Sequence, residues 1–186
     1  MITTQNCKSL IASAALCAAL GASSAFAATM TRAEYGTTKD RVSADYKADK
    51  SACATMSGNQ KDVCQEQAKG KEKVARAELE YNYTGKVSDS NKVAVVKADA
   101  AYAVAKEMCD DKGSNAKDVC VAEAKAAHTK ALADAKMAKK VGDARMDAAE
   151  DKRDADYKVA TEKCDSLAGD AKAACVSAAK QRFNKG

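Results

Sequence analysis

Three stretches of this sequence hold paired cysteines in one frame: CATMSGNQKDVC (Cys53 to Cys64), CDDKGSNAKDVC (Cys109 to Cys120) and CDSLAGDAKAAC (Cys164 to Cys175). Paired thiols support metal ligation, redox exchange or structural cross-linking. Zinc sites favour C-x2-C or C-x4-C spacings with histidine help. Here ten residues separate each pair, and His128 is the one histidine in the chain. Reactive redox pairs favour C-x-x-C at a helix N-terminus. An even count of cysteines in an exported chain reads instead as disulfides, Cys53–Cys64, Cys109–Cys120 and Cys164–Cys175.

Other chemistry is sparse. His128 lies in a polar, Ala-rich helical stretch, with no second histidine to converge on a metal or a reaction. Asp143, Asp147, Glu150, Asp151 and Asp154 cluster, but Arg145, Lys152 and Arg153 are interleaved with them. That pattern is a solvated helix face with i,i+4 ion pairs, not an acid/base site. There is no G-x-S-x-G, no phosphate-binding Gly-rich loop and no H-E-x-x-H. Lysines are balanced by acids, and the run Lys136, Lys139, Lys140 is too small for a nucleic-acid face. No catalytic residue, cofactor or metal ligand is expected.

Export is read from the first residues. A polar start with Lys8, an apolar Leu10–Leu20 run and Ala25-Phe26-Ala27 form a signal peptide cleaved after Ala27. The run is too short to span a bilayer, and no later stretch is long and apolar enough. Cleavage removes Cys7 and Cys17 and leaves the six cassette cysteines. The signal is of bacterial type, which places the mature chain in the periplasm or outside the cell, without a membrane span.

The mature 159 residues include 35 Ala but only three Leu, 13 Val, one Phe and no Ile. A large core is unavailable to such a chain. Long Ala-faced helices with thin seams are the expected solution, and the lack of proline favours them.

The cassettes say where those helices turn. Gly58 and Gly169 stand five residues after the first cysteine, and Gly113 one place earlier in its repeat. They read as helix stops, and Asn59, Asn115 and Asp170 as the next N-caps. Asp62 and Asp118 read as first-turn acids of a capping box, with Ala173 in that place in the third repeat. Tyr46, Tyr102 and Tyr157 each precede the first cysteine by seven residues, two helical turns, and so share its face as a repeat seam. The seams read Val42, Tyr46, Cys53, Met56; then Val95, Ala98, Tyr102, Ala105, Cys109; then Tyr157, Ala160, Cys164, Leu167.

The expected fold is all-α: three disulfide-stapled antiparallel helical hairpins in an elongated array, residues 28–84, 85–142 and 143–186, the last C-terminally truncated. Residues 83–91 read as a turn-rich break between the first two units. Only Gly142 interrupts the pattern between the second and third. One continuous helix over about 116–168 therefore competes with a kink at Gly142.

The pattern AEY…DYKADK-x-x-C…GN-x-KDVC-x-x-x-AKG-x-x-KVA-x-AEL resembles a group of small exported, Ala- and Lys-rich proteobacterial proteins known as TolA-like or cell-envelope biogenesis proteins. The resemblance covers nearly the whole mature chain. It implies a place in the cell envelope and carries over no catalytic residues.

Together these readings predict a non-enzymatic exported scaffold or interaction protein whose partner is an envelope protein or polymer. A soluble chaperone-like binding module, a mildly basic binder of anionic polymers and a redox role for a labile disulfide are the competing readings. Alkylation of the mature protein tests the cysteine assignment. No thiol should react before reduction and six after it; six reactive thiols in the unreduced protein would sink the assignment.

Overall fold

The computed structural model describes residues 30–185, so the signal-peptide reading, with Cys7 and Cys17, lies outside the described residues. Helix α1 (Arg32–Cys53) opens on a capping box. The Glu34 N–H donates to Thr31 Oγ1 (3.2 Å), and the Thr31 N–H donates to Glu34 Oε2 (2.7 Å). That pairing satisfies two donors that a helix start otherwise leaves open. It also holds the Glu34 carboxyl below its ordinary value, because Thr31 stabilises the charged form.

Four more helices follow: α2 (Gly58–Thr84), α3 (Val87–Cys109), α4 (Ser114–Cys164) and α5 (Gly169–Phe183). Among the described residues there is no strand, and no helix is long and apolar enough to cross a membrane. Each helix packs only on its neighbours in the chain, and the α2–α3 seam is the most extensive. The result is an all-α, disulfide-stapled array.

The staples join Cys53 to Cys64, Cys109 to Cys120 and Cys164 to Cys175. Their Cα atoms lie 5.6, 5.6 and 5.7 Å apart, within the span a disulfide bridges. Each closes a short loop, which contributes about 3 kcal/mol by restricting the unfolded chain. Burial agrees with the composition. Among the described residues the buried apolar set is three Cys, five Ala and one Leu. Its largest fully buried side chains are Cys53, Cys109 and Cys164.

Small residues let the helices approach closely. A Cβ added at Gly70 of α2 would lie 3.0 Å from the Ala100 Cβ of α3. Gly142 is the counterpart between α3 and α4, where a Cβ would meet Val87 Cγ1 at 3.3 Å. So Gly142 does not end a helix. α4 runs through it for 51 residues, and at 1.5 Å per residue it is about 76 Å long. The 142/143 boundary thus falls inside α4.

Several local expectations are corrected. The break at 83–91 shrinks to two residues, Gly85 and Lys86. Gly85 takes the left-handed conformation (φ 64°), and its N–H closes onto the Tyr81 carbonyl at 2.8 Å. Units one and two therefore form one continuous helical layer.

The cassette glycines open the second helix and do not close the first. The left-handed residue is the fifth after each first cysteine: Gly58 (φ 57°), Ser114 (φ 47°) and Gly169 (φ 56°). In the second unit this is Ser114, not Gly113. Asn59, Asn115 and Asp170 are not N-caps, since α2, α4 and α5 start without a side-chain cap bond. Asp62 and Asp118 lie past the first turn of their helices. Ion pairs bridge two of the corners, Lys117 with Asp110 (3.0 Å) and Lys172 with Asp165 (2.9 Å), and Asp170 lies in the first turn of α5. The first corner has Lys61 but carries Ala54 at the acid's position.

A left-handed non-glycine residue costs about 1–2 kcal/mol, and glycine removes that cost while freeing the unfolded chain somewhat. Ser114→Gly should therefore stabilise the protein by about 0.5–1 kcal/mol in urea unfolding, whereas Gly58→Ser should destabilise it. Equal loss from both would show that the strain argument is wrong.

Candidate interaction surfaces

The chain direction sets where the corners lie. α1 and α2 meet at the first staple and α3 and α4 at the second, so these two corners sit side by side. The third lies at the far end of α4. The first two are tied directly, because Asn59 Nδ2 donates to the Glu107 carbonyl of α3 at 2.9 Å. Beside that bond is an open groove of about 400 Å³, lined by Met56, Met108, Val63, Gln60, Gln67, Asp111 and the Cys64 half-cystine.

Met56 was expected in the seam, but it falls in the turn after α1 and is 44% exposed. Leu167 occupies the same place at the third corner and is 43% exposed. Both lie beyond the helical frame that the seam spacing assumes. Met108 is 56% exposed, so two thioethers flank the first two corners in water.

The repeated tyrosines are half-buried between helices, on the cysteine side. Tyr102 stacks on His128 with ring centroids 4.7 Å apart and planes 13° from parallel. His128 Nε2 also lies 2.6 Å from Asp99 Oδ1 on α3. Tyr157 meets Phe183 edge-on at 6.2 Å. Tyr46 lines a shallow groove of about 340 Å³ between α1 and α2, together with Val42, Ala68 and Glu72. Glu72 itself is held by Arg76, 2.7 Å away.

These partners share one register. Glu72, His128 and Phe183 each stand 26 residues after the repeat tyrosine. Sequence reasoning missed the pairing, although alignment of the three units at their cysteines contains it. His128 therefore has a packing partner and an acidic neighbour. Its ring closes the α3–α4 seam as Phe183 closes the α4–α5 seam.

A third aromatic contact lies near the start of α1. Tyr35 and Tyr83 approach to 4.8 Å, and the Tyr35 hydroxyl donates to Glu80 Oε2 at 3.0 Å. That bond, to a carboxylate best served by the neutral phenol, pushes the Tyr35 pKa up.

The charged stretches stay in solvent. Residues 143–153 are exposed throughout, with Asp143 paired to Lys139 within the helix. Asp154 pairs with Lys185 at the chain's end. Among the described residues no group of three or more His, Cys, Asp or Glu side chains converges to hold a metal. The geometry offers apolar and amphipathic contact surfaces, with the staples inside them. Compared with known proteins, the chain matches no family model, no curated protein and no solved structure.

The shared register yields a prediction. His128→Phe copies the third unit and should keep stability within about 0.5 kcal/mol, while His128→Ala should lose about 1 kcal/mol with the stacked pair. Urea unfolding measures both. If the two variants were equally destabilised, the stack would not be what holds His128.

Proposed function

We propose that this protein is a non-enzymatic, exported helical scaffold of the cell envelope that presents contact surfaces along a stapled array. The observation that carries the reading is the source of its rigidity: cross-linked corners, with sulfur the bulkiest fully buried group. Disulfides of this kind persist in oxidising compartments, which fits export to the periplasm or beyond. The signal-peptide pattern and the resemblance of the KDVC cassettes to TolA-like envelope proteins support the same location. A catalytic role would need converging acid, base and nucleophile, and the candidate residues are spent on packing or solvated ion pairs.

The groove at the paired corners favours a second reading, a binding module for apolar segments of other proteins. Exposed methionines adapt to varied apolar surfaces. A mildly basic binder of anionic polymers is the third reading, and its affinity should fall steeply with salt.

Small-angle scattering joined to photo-crosslinking in the living cell tests the proposal. The scaffold should have a radius of gyration well above the about 15 Å of a compact chain this long. A photoreactive residue at Gln60 should trap a discrete envelope component. A compact particle with no trapped component would end the scaffold reading; trapping of many unrelated unfolded chains would favour the binding module.

A further inference from the structure

The outer face of α4 is apolar and has no partner helix. Ala122, Ala133, Ala144 and Ala155 recur every 11 residues, and Ala126, Met137, Ala148 and Val159 repeat that period four residues on. All eight are exposed, Met137 by 61% and Val159 by 54%. Val119 and Val141 flank the row and are exposed too. A period of 11 residues is 3.67 per turn, close to the natural helix, so the row runs nearly straight along α4. The opposite side, carrying Cys120, His128, Ala135 and Gly142, then Tyr157 and Cys164, is the one that α3 and α5 cover. α4 is thus a free edge of the helical layer, and its edge face is patterned.

Charge along the same helix identifies what fits there. Residues 125–140 carry five lysines and one aspartate, a net +4. Residues 143–156 carry six acids and three bases, a net −3. The sign switches at Gly142. A parallel second copy would set like blocks against each other, whereas an antiparallel copy sets the basic block against the acidic one.

We propose that two copies of this chain pair antiparallel along the outer faces of α4, about a two-fold axis beside residues 140 and 141. That axis lays Ala122 on Val159, Ala126 on Ala155, Ala133 on Ala148 and Met137 on Ala144 of the second copy, because the 4-7-4-7-4-7-4 spacing is its own mirror. It brings Lys136 towards Asp147 and Arg145 towards Asp134 across the interface. Lys140 meeting its own copy, Lys130 meeting Lys152, Lys125 meeting Lys158 and Glu123 meeting Asp156 are like-charge meetings in this register and temper the affinity. Self-complementarity of this kind is what a two-fold interface requires. The inference stands independently of the envelope scaffold reading.

Sedimentation of the disulfide-intact mature chain decides it, with circular dichroism confirming that each variant stays helical. The protein should dimerise at tens of micromolar. Met137→Glu should weaken the dimer about tenfold or more, since it buries a charge in the row. Met146→Glu is the control. Met146 is 62% exposed and lies nine residues on, two and a half turns round, on the opposite side of the same bare stretch. It should leave association within about twofold, as surface changes away from an interface do. Lys136→Asp should weaken pairing, and adding Asp147→Lys should restore it. A chain that stays monomeric, a dimer indifferent to Met137→Glu, equal sensitivity to Met146→Glu, or a double variant no better than the single each overturns the proposal.

Discussion

Burial of sulfur is the constraint on which the rest of this structure depends. With three Leu, one Phe and no Ile from residue 28 onward, no helix can cover a partner with large side chains. Alanine buries little area, so each helix pair gains little from the hydrophobic effect. The half-cystines supply the missing bulk and fix the corner together. Close approach then becomes the way to gain contact. Gly70 against Ala100 and Gly142 against Val87 are places where a backbone nears its neighbour because one side chain is absent. Helices that meet through small residues and fixed corners form a single layer, which explains why each touches only its neighbours in the chain.

The layer leaves its members unequal. α2 and α3 have neighbours on two sides. α4 instead gives one stretch of a single side to α3 and another to α5, and nothing in the chain covers the rest. Its 143–153 stretch has no helix beside it and remains helical through charge pairs such as Lys139 with Asp143 and through alanine's propensity. The three corners differ as well. Two carry an Asp–Lys pair, and the first has Ala54 in the acid's place but is tied to its neighbour by Asn59.

Much of the fold was legible because the relevant signals are local. Cysteine spacing, the absence of proline and the repeat period together imply stapled all-α hairpins. What escaped the sequence was decided by tertiary contact. Asn59 has the chemistry of an N-cap, but its amide is turned to a carbonyl of the adjacent hairpin. The sequence left a continuous helix and a kink at Gly142 in competition, and the contact with Val87 goes with the continuous helix. Ser114 bears the left-handed conformation beside a glycine that could have borne it. The tyrosine partners were hidden differently. Glu72, His128 and Phe183 share a register but no chemical type, so only alignment of whole units brings them together.

The staples also bear on how the chain finds its fold. Each of the six described cysteines pairs with one 11 residues away, while the next along the chain is 45 residues from Cys64 and 44 from Cys120. Loop closure becomes less probable with roughly the three-halves power of length, so the correct partner is met about eight times more readily than the nearest wrong one. Where oxidation accompanies emergence of the chain, each corner can close before the next cysteine arrives. The repeat thus carries its own proofreading, in which kinetic order along the chain stands in for the large core that would otherwise select the right pairing.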